Sequence, residues 1–231
     1  MSLNDAFRKV EAGKQSAWAL FEPVICMGLQ IEGFSDAIGA PIFGYYRKSE
    51  SSRSARIAAG VLTSCVFAYC LGSRIESLNA ENDAEVSCDL SGFVLNVASA
   101  IELLSDWLDD VLEVPKSRGV RRNLWSSEMQ SRFALIDVDS ARKIAEREDW
   151  LRELADLSNR ARYEGSHLWQ RIDDEIACVF RSGHGDINEE PGKHLVHRYL
   201  TDMSTTIAAG FKLGSSRLNN PRKTSANVDW E

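Results

Sequence analysis

Several things are scarce in this sequence, and each scarcity removes a class of protein. The five cysteines, Cys26, Cys65, Cys70, Cys88 and Cys178, are odd in number and form no Cys-x-x-Cys, so neither a disulfide framework nor a zinc ribbon is indicated. Buried free thiols in a reducing compartment are expected instead, and a cytoplasmic location with them. The opening residues Met1-Ser2-Leu3-Asn4-Asp5 lack the basic-then-apolar order of a signal peptide. The longest apolar run, Ile57 to Leu71, falls short of the roughly 20 residues a bilayer requires, so no transmembrane segment is expected and a buried core helix is. Positive charge is also short: 27 Lys and Arg against 34 Asp and Glu give a net charge of -7, which argues against bulk nucleic-acid binding. No serine sits in a Gly-x-Ser-x-Gly elbow, and no glycine run has the spacing of a phosphate loop. Internal repeats and low-complexity tracts are lacking as well.

What is present is helical periodicity. The 231 residues are 44% hydrophobic, enough to bury a sizeable core. Apolar residues recur at helical spacing almost everywhere, and strand-like alternation nowhere persists. The expected fold is all-α, a single-domain bundle or array of about seven or eight helices over residues 1–214, followed by a loosely ordered tail over 215–231. Helices are expected over 4–21, from Pro23 to Ala37, from Ser54 to Leu78, and from a cap at Asp89 or Ser91 to Glu113. Further helices follow over Ser126–Leu135, from an Asp139 cap through the Trp150–Leu157 region, and over Ser166–Phe180. The last is expected to open at Asn188 and Pro191 and close near Gly214. Trp107, Trp125, Trp150 and Trp169 read as core or interface anchors.

One constellation rises above this background. Glu102, Asp106, Asp109, Asp110 and Glu113 fall within an arc of roughly 100° on one helix. Asp106, Asp109, Asp110 and Glu113 repeat at i, i+3, i+4 and i+7, a spacing at which like charges repel unless something offsets them. A divalent cation would do so, and magnesium favours one or two carboxylates with waters and a phosphate. Basic clusters flank the stripe in sequence: Arg47, Lys48, Arg53 and Arg56 before it, Lys116, Arg118, Arg121 and Arg122 after it. Acids for a metal and guanidinium groups for phosphate are what a diphosphate needs. The solvated face of an ordinary amphipathic helix carries the same stripe, and cations at helix ends are equally ordinary.

Ala100-Ile101-Glu102-Leu103-Leu104, then Asp109-Asp110-x-x-Glu113, then Arg118-Gly119 and Arg121-Arg122, resembles the first aspartate-rich region of class I isoprenoid synthases, the trans-polyprenyl diphosphate synthases above all. Glu113 stands where that family has a third aspartate, and no second aspartate-rich motif follows, since Asp173-Asp174-Glu175 comes too early. The resemblance implies a transferase that binds a prenyl diphosphate through Mg2+. Asp106, Asp109, Asp110 and Glu113 would ligate the metal, with Asp109 and Asp110 catalytic. Arg118, Arg121, Arg122, Arg47 and Lys48 would hold the diphosphate, and an apolar pocket from Val61, Phe67 and Tyr69 the chain.

Two other readings stand beside it. Arg162 and His167, with Arg160 just upstream, resemble the Arg-x4-His signature of HEPN ribonucleases, which implies a homodimer acting on a phosphodiester, or an inactive relative. Alternatively the chain is a non-enzymatic helical interaction module that docks a basic partner on the acidic stripe. His194 and His197, with His184 and Asp186 before them, have the spacing of a metal pair but no third ligand. The direction of the acidic helix, toward a cavity or toward solvent, separates these readings.

Overall fold

Two long antiparallel helices form the framework: α1, Ser52–Ser77, and α2, Asp83–Val111. The computed structural model describes residues 52–77, 83–113, 123–164, 168–172, 175–181 and 187–219. The expected helices before residue 38, with Arg47 and Lys48, lie outside the described residues. So do Arg118, Arg121, Arg122, His167, Asp173, Asp174, His184, Asp186 and the tail beyond Asn219.

Three short helices follow α2: α3, Ser127–Ile136; α4, Val138–Ala145; and α5, Glu148–Tyr163. Then come the strands β1, Trp169–Ile172, β2, Glu175–Arg181, and β3, Ile187–Pro191, and the closing helix α6, Gly192–Asn219. The described residues are therefore largely α-helical, with one small sheet.

α2 is central because its apolar residues nearly encircle it. Leu90, Phe93, Val94, Val97, Ile101, Leu104, Trp107 and Leu108 are all buried, and α1, α5 and α6 pack around them. The antiparallel course of α1 shows in its glycines: a Cβ on Gly60 would sit 2.9 Å from the Leu103 side chain, and one on Gly72 would sit 3.7 Å from Phe93. α6 runs parallel to α2, with Gly192 against Leu90, Gly210 against Leu104 and Gly214 against the Trp107 ring. Phe211 stacks on that ring, centroids 4.6 Å apart. Both α1 and α2 are long and apolar enough to cross a membrane by length and composition, a test that the core helices of a folded domain also meet.

The sheet corrects the expected helix over 166–180. β1, β2 and β3 are antiparallel and in sequence order, with Ile172 facing Glu175 and Phe180 facing Asn188. Ile176-Ala177-Cys178-Val179-Phe180 is short, apolar and partly β-branched, a run that periodicity alone cannot assign to strand or helix. The indole N–H of Trp169 donates to Ser91 Oγ at 2.7 Å and ties the sheet to α2.

Boundaries shift for local reasons. α2 begins at Asp83 rather than at Asp89 or Ser91, because Arg74 of α1 pairs with Asp89 at 2.8 Å and reaches Glu85, which lets those acids lie inside the helix. The expected Asp139 cap is Asp137, whose carboxylate accepts from Ser140 N at 3.0 Å. The helix expected onward from it is interrupted at Glu146 and Arg147, giving α4 and α5. Pro191 closes β3 instead of opening a helix, and α6 runs past Gly214 to Asn219, into the stretch expected to be loose.

Candidate functional site

The stripe divides along α2. At its N-terminal end Glu102 and Asp106 line a cavity of about 110 Å³. Ala98, Ile101 and Ser105 of α2, Asn123, Leu124 and Trp125 of the turn before α3, and Leu151, Leu154, Ala155 and Ser158 of α5 complete the wall. The side of α2 that crosses α5 carries small residues, Ala98 and Ser105, opposite Ala155 and Ser158, and the gap between the two helices is this space. It is of the same order as the roughly 150 Å³ apolar cavities that admit a single aromatic ring.

The C-terminal half of the stripe faces other groups. Asp110 accepts a hydrogen bond from Ser54 Oγ and pairs with Arg53 Nε at 3.6 Å, both from the first turn of α1. Asp109 is half-buried and has interactions of its own. Glu113 lies beyond the helix end at φ 52°, is largely exposed, and stands 3.9 Å from Arg217 of α6. At the other end Glu102 meets Arg162 at 3.4 Å. The repulsion built into the sequence spacing is thus offset by Arg53, Arg162 and Arg217. Asp106 differs: among the described residues it makes no hydrogen bond and no ion pair.

Among the described residues, no three His, Cys, Asp or Glu side chains come close enough together to hold a metal ion. His194 and His197 are exposed on the first turns of α6. Arg53 and Arg56 are exposed at the start of α1, so part of the first basic cluster lies beside the acidic helix. Of the residues expected to line an apolar pocket, Val61 is in the core, Phe67 is 50% exposed, and the Tyr69 hydroxyl meets Ser204 Oγ at 2.6 Å. Arg162 is exposed and paired with Glu102, while Arg160 donates to Glu164 at 3.1 Å and to the Val179 carbonyl at 3.2 Å.

Near the cavity, Arg152 lies over the Trp125 ring, 5.9 Å from its centroid, and its guanidinium is held by Glu148 at 2.7 Å. None of the described cysteines lines the cavity. Burial pushes Cys65 far up, and it pushes Cys178 up to about 12 despite the neighbouring Arg160, so neither is a thiolate at neutral pH. Asn123, Trp125 and the α5 residues were not legible as site residues. The acidic helix pointed to one wall of the cavity, but the opposite wall, Leu151, Leu154, Ala155 and Ser158, carries no charge and no motif.

No family model matches the sequence, and no curated protein or solved structure matches it either.

Proposed function

We propose that this chain is a small-molecule binding protein whose site is the cavity between α2, the 123–125 turn and α5. The observation that carries the reading is the placement of Asp106, a carboxylate without a partner among the described residues, in the wall of a mostly apolar cavity. Binding pockets commonly combine an apolar lining with a few polar groups that fix orientation. A purely structural acid on α2 would be expected to find an arginine, as Asp110 and Glu102 do.

The test is a thermal-melt screen of the full chain against fragments the size of one substituted ring. A ligand specific to the folded state raises the melting temperature once its concentration exceeds its Kd. Shifts in the wild type that vanish in Ala155→Leu, which fills the cavity, are expected. Shifts that are absent, or that survive the filling, contradict the reading.

Magnesium-dependent binding of a prenyl diphosphate is the second reading, and Arg53 beside Asp110 is the observation in its favour. Magnesium takes one or two carboxylates and completes its shell with waters and phosphate, so dispersed acids are compatible with it. Asp106 would supply a ligand, and Arg53 and Arg56 would face the phosphates together with Arg47, Lys48, Arg118, Arg121 and Arg122. A melting shift that needs both Mg2+ and farnesyl diphosphate, and is lost in Asp106→Asn, is its signature. No shift with the pair removes it.

A further inference from the structure

Resting on the cavity reading above, we infer that the ligand of this site is a small organic amine, bound with its ammonium on Asp106 and its apolar body against Ile101, Leu151 and Leu154. The charge balance around the cavity decides the sign. Glu102 is offset by Arg162 at 3.4 Å, and Arg152 is offset by Glu148 at 2.7 Å. Arg162 and Arg152 touch the lining residues Glu102 and Trp125, but each is already engaged by an acid, so neither offers an anion an unopposed cation. Among the described residues of the wall Asp106 is the remaining charge, and none of them neutralises it. An anion would meet a net negative charge on the described residues of the wall, whereas an ammonium would form a charge-assisted hydrogen bond with Asp106 in surroundings drier than bulk water.

The shape agrees with that sign. Leu124, Leu151, Leu154 and Ile101 present hydrocarbon, and Trp125 adds an aromatic surface of the kind that attracts cations. At about 110 Å³ the space suits one ring or a short branched chain. Ser105 and Ser158 in the same wall can take a second ammonium hydrogen.

The test compares benzylamine with benzyl alcohol, nearly the same shape with and without the charge, by calorimetric titration of the full chain. The wild type is expected to favour the amine by about tenfold or more, the worth of one hydrogen bond to a charged group. In Asp106→Asn the preference collapses while alcohol binding is kept. Equal affinity for the two in the wild type overturns the amine assignment and leaves the cavity reading standing. Binding of neither overturns both. Amine binding that persists in Asp106→Asn and in Ala155→Leu places it on the acidic surface elsewhere, and overturns the assignment too.

Discussion

Asp106 and Asp110 sit one helical turn apart on α2, and their neighbours give them opposite roles. Asp110 accepts from Ser54, which is 5% exposed, and pairs with Arg53, so it joins the start of α1 to the end of α2. Asp110→Ala removes both of these contacts and is expected to cost about 1–2 kcal/mol in urea unfolding. Asp106→Asn removes a charge that holds nothing together, and its stability is expected to stay within about 0.5 kcal/mol of the wild type. Similar losses for both would mean that Asp106 is structural. The sequence could place these acids on one helix, because 3.6-residue periodicity fixes which side chains share a face. It could not tell them apart, because Arg53, Arg162 and Arg217 reach the stripe from three other elements.

Among the elements, Asp137 acts at a junction. It closes α3, caps α4 by accepting from Ser140 N, and pairs with Lys212 of α6 at 3.1 Å. Partial burial works to raise its pKa, but the Ser140 N–H and the Lys212 ammonium outweigh it, and the carboxyl is held below its ordinary value of 3.8. A carboxyl with a lowered folded pKa adds stability that is fully present above the unfolded value. That contribution fades as the pH falls below 3.8 through the folded value. Asp137→Ala is expected to cost about 1–2 kcal/mol near neutral pH, with the gap from wild type narrowing in that acid range. A gap independent of pH would contradict this assignment.

Helix packing makes a second demand. A Cβ on Gly214 would run into the Trp107 ring, so Gly214→Ala is expected to destabilise by about 1–3 kcal/mol, although alanine favours helix. The helical elements could be read from periodicity and caps such as Ser126, which accepts from Met129 N at 3.3 Å. The sheet could not. Its strands are too short for a two-residue alternation to outweigh neighbouring helical patterns, and their pairing depends on contacts distant in sequence.

At the scale of the molecule, one polar network holds the sheet, α5 and α6 together. Arg198 reaches Glu153 of α5 at 2.7 Å and Glu190 of β3 at 2.5 Å, and the Tyr199 hydroxyl donates to Glu153 at 2.8 Å. Burial and the Glu153 carboxylate push the Tyr199 phenol far above its ordinary range, so it is protonated and donates at neutral pH. Arg198→Met is expected to cost about 1–3 kcal/mol, read by thermal or urea unfolding, because two acids lose their shared cation. The network lies on the α6 side of α5, while the cavity opens between α5 and α2. α5 is thereby held from one side while its other side forms the wall of the cavity.

The most direct test of the cavity as a binding site is a ¹⁵N-resolved NMR titration with benzylamine, following the indole N–H signals. The Trp125 signal, assigned by Trp125→Phe, is expected to move, together with amides of residues 98–106 and 151–158. The indoles of Trp107 and Trp150, buried in the core, should stay in place. Movement confined to other surfaces, or an unchanged spectrum at high ligand concentration, would contradict the cavity as the site of function.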